Sequence, residues 1–192
     1  MMFATAEPTS LEQSKLASLE EMQAMEAENK LIEFSDGIWE EQAVTSIDHS
    51  RIGTKLLIKL GVFVETHGLG EVYGPDLSYV LQGEGPSAGK IRLPDVSFVK
   101  KDRVQRDLTG YYYLSPDLAV EIISHTERAG KVATKLQEYQ AAGVAQIWLI
   151  YPSSQEVIVH AGPDVQVYEI EDTLTGGDLF PGFELSLKTL FE

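Results

Sequence analysis

Residues 116–152 read PDLAVEIISHTERAGKVATKLQEYQAAGVAQIWLIYP, and this stretch decides the architecture. Leu118 to Ile123 is a short apolar run bounded by Pro116-Asp117 and Ser124, which is the pattern of a strand. From Glu127 to Ala142 the period becomes helical, with Val132, Leu136 and Tyr139 on one face and Gly143 as the stop. Ile147 to Tyr151 returns to strand character.

Outward from this unit the same alternation continues. Glu71 to Tyr73, Leu77 to Leu81 and Ile91 to Val99 read as strands upstream, and Glu156 to His160 and Val165 to Ile170 downstream. Ile52, Leu56, Leu60 and Phe63 recur at helical spacing behind Asp48, which can cap them, until His67-Gly68 ends the segment. Leu31 to Phe34 and Ile38 to Trp39 flank Asp36-Gly37, a hairpin signal. Residues 1–9 carry no periodicity and are expected to be a loose end. The 10–29 stretch reads as an amphipathic helix opened by Ser10 and Gln13, with Leu16, Leu19 and Met22 on one face. The tail, TGGDLFPGFELSLKTLF, carries two turns and an apolar end expected to fold back onto the rest. These elements predict a mixed α/β (α+β) sheet with helices against it, as one domain over 1–192.

Bulk properties narrow the function. The absence of cysteine excludes disulfides, thiolate metal sites and a cysteine nucleophile, and fits a reducing, cytoplasmic setting. No apolar run approaches the roughly 20 residues of a membrane-spanning helix, and the first residues lack the basic-then-apolar order of a secretory signal. The net charge of −15 argues against a simple DNA-binding module, because such a surface repels phosphate backbones. It weighs less against a nuclease, in which clustered carboxylates can hold Mg²⁺.

Two acids stand out. Pro94-Asp95 opens VSFV, so Asp95 is assigned to a strand rather than a surface turn. Glu121 interrupts an apolar run whose neighbours on both faces look buried, where an ionised carboxylate is costly unless paired or bound to metal. The alternative is a strand with one solvated face and an exposed Glu. Lys135 lies on the following helix with Lys131 one turn earlier, and helix lysines are ordinarily solvated. His49 opens the second long helix, either as a locally bonded residue of the cap region or as a catalytic or phosphate-contacting group. His67, His125 and His160 show no metal-ligand spacing. Trp39 and Trp148 read as core. Tyr111, Tyr112 and Tyr113 read as sheet packing in preference to base stacking. Phosphate-binding glycine loops and a serine-hydrolase arrangement are absent.

The stretches RLPDVSFVKKDR, PDLAVEIISHTERAGKVATKLQEYQAAGVAQIWLIYP and LTGGDLFPGFELSLKTLF, with LEEMQAMEAENKLIEFSDGIWE and His49-Ser50 upstream, resemble the Uma-two family within the PD-(D/E)XK nuclease superfamily. The resemblance runs from about Leu19 nearly to the end. It implies a restriction-endonuclease-like core with flanking helices, in which Asp95 and Glu121 are the acidic pair. The superfamily pattern then expects lysine at position 123. Ile123 stands there, and the family's lysine on the next helix matches Lys135. Two further departures are Ser124-His125 in place of Ser-Pro, and Lys131 where relatives carry an acid.

The implied activity is a Mg²⁺- or Mn²⁺-dependent DNA endonuclease. Asp95 and Glu121 would bind metal and Lys135 would orient or activate water, with Lys131 as the competing source of the cation. Such an enzyme would act as a homodimer and needs no membrane. The competing expectation is a nuclease-like module, no longer catalytic, that binds protein or nucleic acid.

Overall fold

A computed structural model describes residues 17–28, 31–35, 37–42, 45–82, 87–106 and 110–192. In chain order the elements are β1 (Ala17–Ser18), α1 (Leu19–Ala27), β2 (Ile32–Ser35), β3 (Ile38–Glu41), α2 (Ile47–His67), β4 (Gly70–Tyr73), β5 (Tyr79–Gln82), β6 (Ser87–Ala88), β7 (Lys90–Arg92), β8 (Val96–Lys100), β9 (Leu118–Ile122), α3 (Ala129–Ala141), β10 (Gln146–Tyr151), β11 (Glu156–Ala161), β12 (Asp164–Tyr168), β13 (Thr173–Gly176), β14 (Phe180–Ser186) and α4 (Leu187–Phe191).

The central sheet has six strands in the order β12-β11-β10-β9-β8-β4. β9 and β10 run parallel across the α3 connection, and the remaining neighbours are antiparallel, so the sheet is mixed as expected. Strand residues alternate between two faces. Leu118, Val120 and Ile122 pack with Ile52, Leu56, Leu60 and Val64 of α2. Ala119 and Ile123 pack instead with Val132 and Tyr139 of α3. By the same parity Glu121 belongs to the α3 face.

The long helix α2 begins two residues earlier than Asp48 would place it. Ser46 is its cap, with Oγ accepting the His49 N–H at 3.2 Å, and Asp48 falls in the first turn. Gly68, at φ 62°, ends it as expected, since the left-handed conformation is costly for a residue with a Cβ. The expected 10–29 helix is shorter than its periodicity implied. Positions 10–16 lie outside the described residues. Ala17–Ser18 is a strand that pairs with Ser87–Ala88, and the helix starts at Leu19. The physical cause is a second capping box: Ser18 Oγ accepts the Glu21 N–H and Glu21 Oε2 accepts the Ser18 N–H.

The expected continuous strand from Ile91 to Val99 is two strands in different sheets. β7 joins the smaller sheet β3-β2-β7-β5, and β8 joins the central one. The chain changes sheets at Leu93-Pro94-Asp95, where Pro94 has no N–H to give a ladder. Asp95 therefore precedes β8 rather than lying within it. The tail does fold back. β13 and β14 form a hairpin, and Phe180, Phe183, Leu187 and Leu190 complete the core beside α2 and Trp148.

Candidate active site

The antiparallel register of β8 and β9 pairs Val96 with Val120 and Ser97 with Ala119. One more step along that register sets Asp95 opposite Glu121. The two backbones are tied there: Asp95 N donates to Val120 O at 2.9 Å, and Ile122 N donates to Asp95 Oδ2 at 2.7 Å. Asp95 Oδ2 also lies 3.2 Å from His49 Nε2, in the first turn of α2. Asp95 Oδ1 makes no hydrogen bond among the described residues.

Glu121 is 4% exposed, so the solvated-face alternative does not hold. Both of its oxygens are occupied by α3. Lys135 Nζ donates to Oε2 at 2.9 Å, and Tyr139 Oη donates to Oε1 at 2.6 Å. Lys135 itself is 7% exposed. The ordinary solvated role of a helix lysine gives way here because Val132, Lys135 and Tyr139, spaced three and four apart, form the buried stripe of α3. Lys131, on the neighbouring exposed surface, forms a 2.8 Å ion pair with Glu40 across the mouth of the cleft. Lys135, not Lys131, is therefore the cation at the acidic pair.

One participant escaped the sequence reading. Glu33 of β2, only 2% exposed, places Oε1 3.2 Å from Lys135 Nζ and Oε2 3.1 Å from an Arg92 guanidinium nitrogen. Arg92 in turn pairs with Glu138 at 2.6 Å, and Lys90 reaches Glu138 at 3.0 Å. In a strand reading Ile32-Glu33-Phe34, alternation assigns Glu33 to a solvated face. In the structure all three are buried, because Lys135 and Glu138 of α3 reach the small sheet, and no local feature of the sequence signals it.

These groups line a cleft of about 430 Å³, whose walls include Glu33, His49, Asp95, Glu121, Lys131 and Lys135. Its charge is unbalanced: Glu33, Glu40, Glu41, Asp95, Glu121 and Glu127 line it against the permanent cations Arg128, Lys131 and Lys135. Burial raises the Glu121 carboxyl to about 7, against the pull of Lys135 and with further help from Asp95 and Glu33. For Lys135, burial works against the charged form, yet Glu121 and Glu33 outweigh it and hold the ammonium protonated. At His49 burial likewise opposes protonation, and the hydrogen bond and charge of Asp95 overcome it, so its proton affinity is raised.

Among the described residues no group of three or more His, Cys, Asp or Glu side chains is arranged to hold a metal ion. Two carboxylates, Asp95 and Glu121, face each other in the cleft wall. His67 is held by Phe63 at the end of α2, and His160 lies on β11, both away from the cleft lining. Trp148 is fully buried, Tyr112 is buried against Tyr79, and Trp39 packs on Phe34, in line with their reading as packing residues.

Asp95 just ahead of β8, Glu121 on β9 and a lysine from the next helix stand together at the positions that the resemblance singled out. The family model described as "Putative restriction endonuclease", Uma2, matches residues 19–188. The chain belongs to the Uma2 family. Among solved structures, one from Anabaena variabilis ATCC 29413, described as "a putative nuclease belonging to DUF820", is similar with a TM-score of 0.77. The match covers 91% of this chain and 97% of that one at 20% sequence identity, a likeness of fold. No protein of curated function matches significantly. The Uma2 core thus carries the restriction-endonuclease-like architecture. Among the described residues, no helix is long and apolar enough to cross a membrane.

Proposed function

We propose that this Uma2 protein is a divalent-metal-dependent nuclease that hydrolyses DNA phosphodiesters. The observation that carries the reading is the Lys135 ammonium 2.9 Å from Glu121, on the strand whose Ile122 N–H holds Asp95. A buried lysine and two buried-edge carboxylates converging on one cleft serve no packing need that apolar residues would not meet more cheaply.

The donor chemistry fits Mg²⁺ or Mn²⁺. These ions accept one or two carboxylates and keep several waters, and an unbonded Asp95 oxygen beside an uncompensated negative charge meets that requirement. Asp95 and Glu121 would hold the ion, which when bound supplies a polarised phosphoryl oxygen and an activated water. Lys135 provides fixed positive charge where negative charge develops, and orients the water through its remaining N–H. His49 fixes the Asp95 carboxylate and, when protonated, adds a second positive charge at the wall of the cleft.

Double-strand cleavage by one cleft per chain requires two copies, and we propose a homodimer on that ground. A cytoplasmic setting agrees with a cysteine-free chain. Purified protein incubated with DNA and Mn²⁺ tests the activity beside Asp95→Ala and Glu121→Ala. Cleavage by the parent and its loss in both variants supports the reading. Equal activity in all three points to a contaminant and sinks it. The departure at position 131 favours a second reading, a binding module without catalysis. It predicts that DNA is retained without cleavage at any Mn²⁺ concentration.

A further inference from the structure

Most of the small sheet lies outside the acidic pair, yet it sends one side chain into it. We infer that Glu33 is a positioning residue for catalysis, holding Lys135 in the place from which it acts. This rests on the nuclease reading above.

A lysine on the strand itself would inherit its placement from the ladder. Lys135 comes from a helix, through four rotatable bonds, and needs an anchor that the strand does not give. Glu121 Oε2 is one anchor, at 2.9 Å. Glu33 Oε1, from a different sheet, is the second, at 3.2 Å. Two carboxylates on two elements restrain the ammonium in a way that one cannot.

Glu33 is in turn fixed by groups that do not touch the acidic pair. Arg92 holds its Oε2 at 3.1 Å, and the Leu93 N–H donates to Oε1 at 3.4 Å. Arg92 is locked by Glu138, whose Oε1 takes the Ser35 hydroxyl at 2.6 Å and pairs with Lys90 at 3.0 Å. The chain Glu121, Lys135, Glu33, Arg92, Glu138, Lys90 alternates in sign throughout. It joins the central sheet to the small one through α3, and each of its acids is matched by a cation on either side except at the Glu121 end, where the cleft opens.

A purely structural Glu33 and a positioning Glu33 differ in what its loss does to turnover. Glu33→Gln keeps shape and hydrogen bonding toward Arg92 and removes the charge that restrains Lys135. Misplacing a reacting group by about 1 Å can cost on the order of 100-fold in rate. In Mn²⁺ with saturating DNA we expect kcat to fall about 10- to 100-fold. KM should stay within about threefold, and the Mn²⁺-induced rise in melting temperature should be kept, because the metal ligands are untouched. Glu33→Asp retains the charge one methylene short and should recover part of the rate. It also carries the test if Glu33→Gln does not fold.

An active parent with an equally active Glu33→Gln overturns the inference and leaves the nuclease reading intact. So does a variant whose rate loss lies entirely in KM. A parent that cleaves no DNA overturns the nuclease reading, and the role of Glu33 in catalysis with it.

Discussion

Ile122 donates its backbone N–H to Asp95 Oδ2 at 2.7 Å, one residue beyond Glu121. The strand that carries the second acid thereby sets the first, and the relative placement of the two carboxylates is a property of the β8–β9 register instead of side-chain choice. Because the sheet behind them is packed on both faces, that spacing is rigid. The lysine side of the site has no such backbone guarantee.

Asp95 is thus the position where a ligand can be tested with least structural disturbance. Asp95→Asn keeps an oxygen to accept the Ile122 N–H and loses one negative charge. Millimolar Mn²⁺ should raise the melting temperature of the parent and leave that of Asp95→Asn within about 1 °C of its metal-free value, as linkage requires when the ion binds only the folded state. DNA cleavage should fall by about 100-fold or more. An unchanged melting shift in Asp95→Asn would remove Asp95 from the metal site.

Lys135 and Lys131, one turn apart, should behave in opposite ways. Lys135→Met leaves Glu121 without its cation and Glu33 with Arg92 alone, and breaking a buried pair in this way costs about 3–5 kcal/mol. Lys131→Ala breaks a half-exposed pair with Glu40, worth at most about 1 kcal/mol. Urea unfolding of the two variants checks this, and equal losses of stability would contradict the assignment of Lys135 as the buried cation.

The difference between these two lysines was only half legible in the sequence. The mixed sheet, α2 with its Gly68 stop, α3 with Gly143 and the pairing of β2 with β3 follow from local period and turn chemistry, which act over a few residues. Glu121 was legible as an anomaly because a charge inside an apolar run conflicts with its neighbours. Lys135 was legible through the family resemblance and not through its helix, because the apolar stripe of Val132 and Tyr139 reads equally well through Leu136. Glu33 was not legible, since its burial depends on residues about a hundred positions away. The break at Pro94 was likewise hidden, because Ile91 to Val99 keeps strand composition while changing sheets. Asp48 was mistaken for the cap because a better-placed serine, Ser46, takes that role.

The raised proton affinity of Glu121 makes stability depend on pH with a definite sign. Unfolded, its carboxyl loses the proton near 4.5; folded, near 7, chiefly because of burial. Between those values the folded state holds the proton that the unfolded chain has released, so stability falls as pH rises. His49, also raised, adds stability that is present below 6.5 and disappears as pH climbs through its folded value. In EDTA the parent should lose melting temperature from pH 5 to 8. Glu121→Gln should show a shallower slope between pH 5 and 7 and the same slope above. Parallel curves for the two proteins across the whole range would mean that Glu121 holds no extra proton.

Tyr139 offers the last test, because it touches Glu121 without being a candidate ligand. Its hydroxyl donates to Glu121 Oε1 at 2.6 Å inside the core. Tyr139→Phe preserves the ring packing on α3 and leaves that oxygen short of a donor, which costs about 1–3 kcal/mol in the metal-free protein. A cation bound between Asp95 and Glu121 would neutralise the carboxylate and remove much of this penalty. The melting deficit of Tyr139→Phe should therefore be full in EDTA and shrink as Mn²⁺ is raised to saturation. If the deficit is the same with and without Mn²⁺, the cation does not reach Glu121, and the metal site would have to be built on Asp95 without its partner.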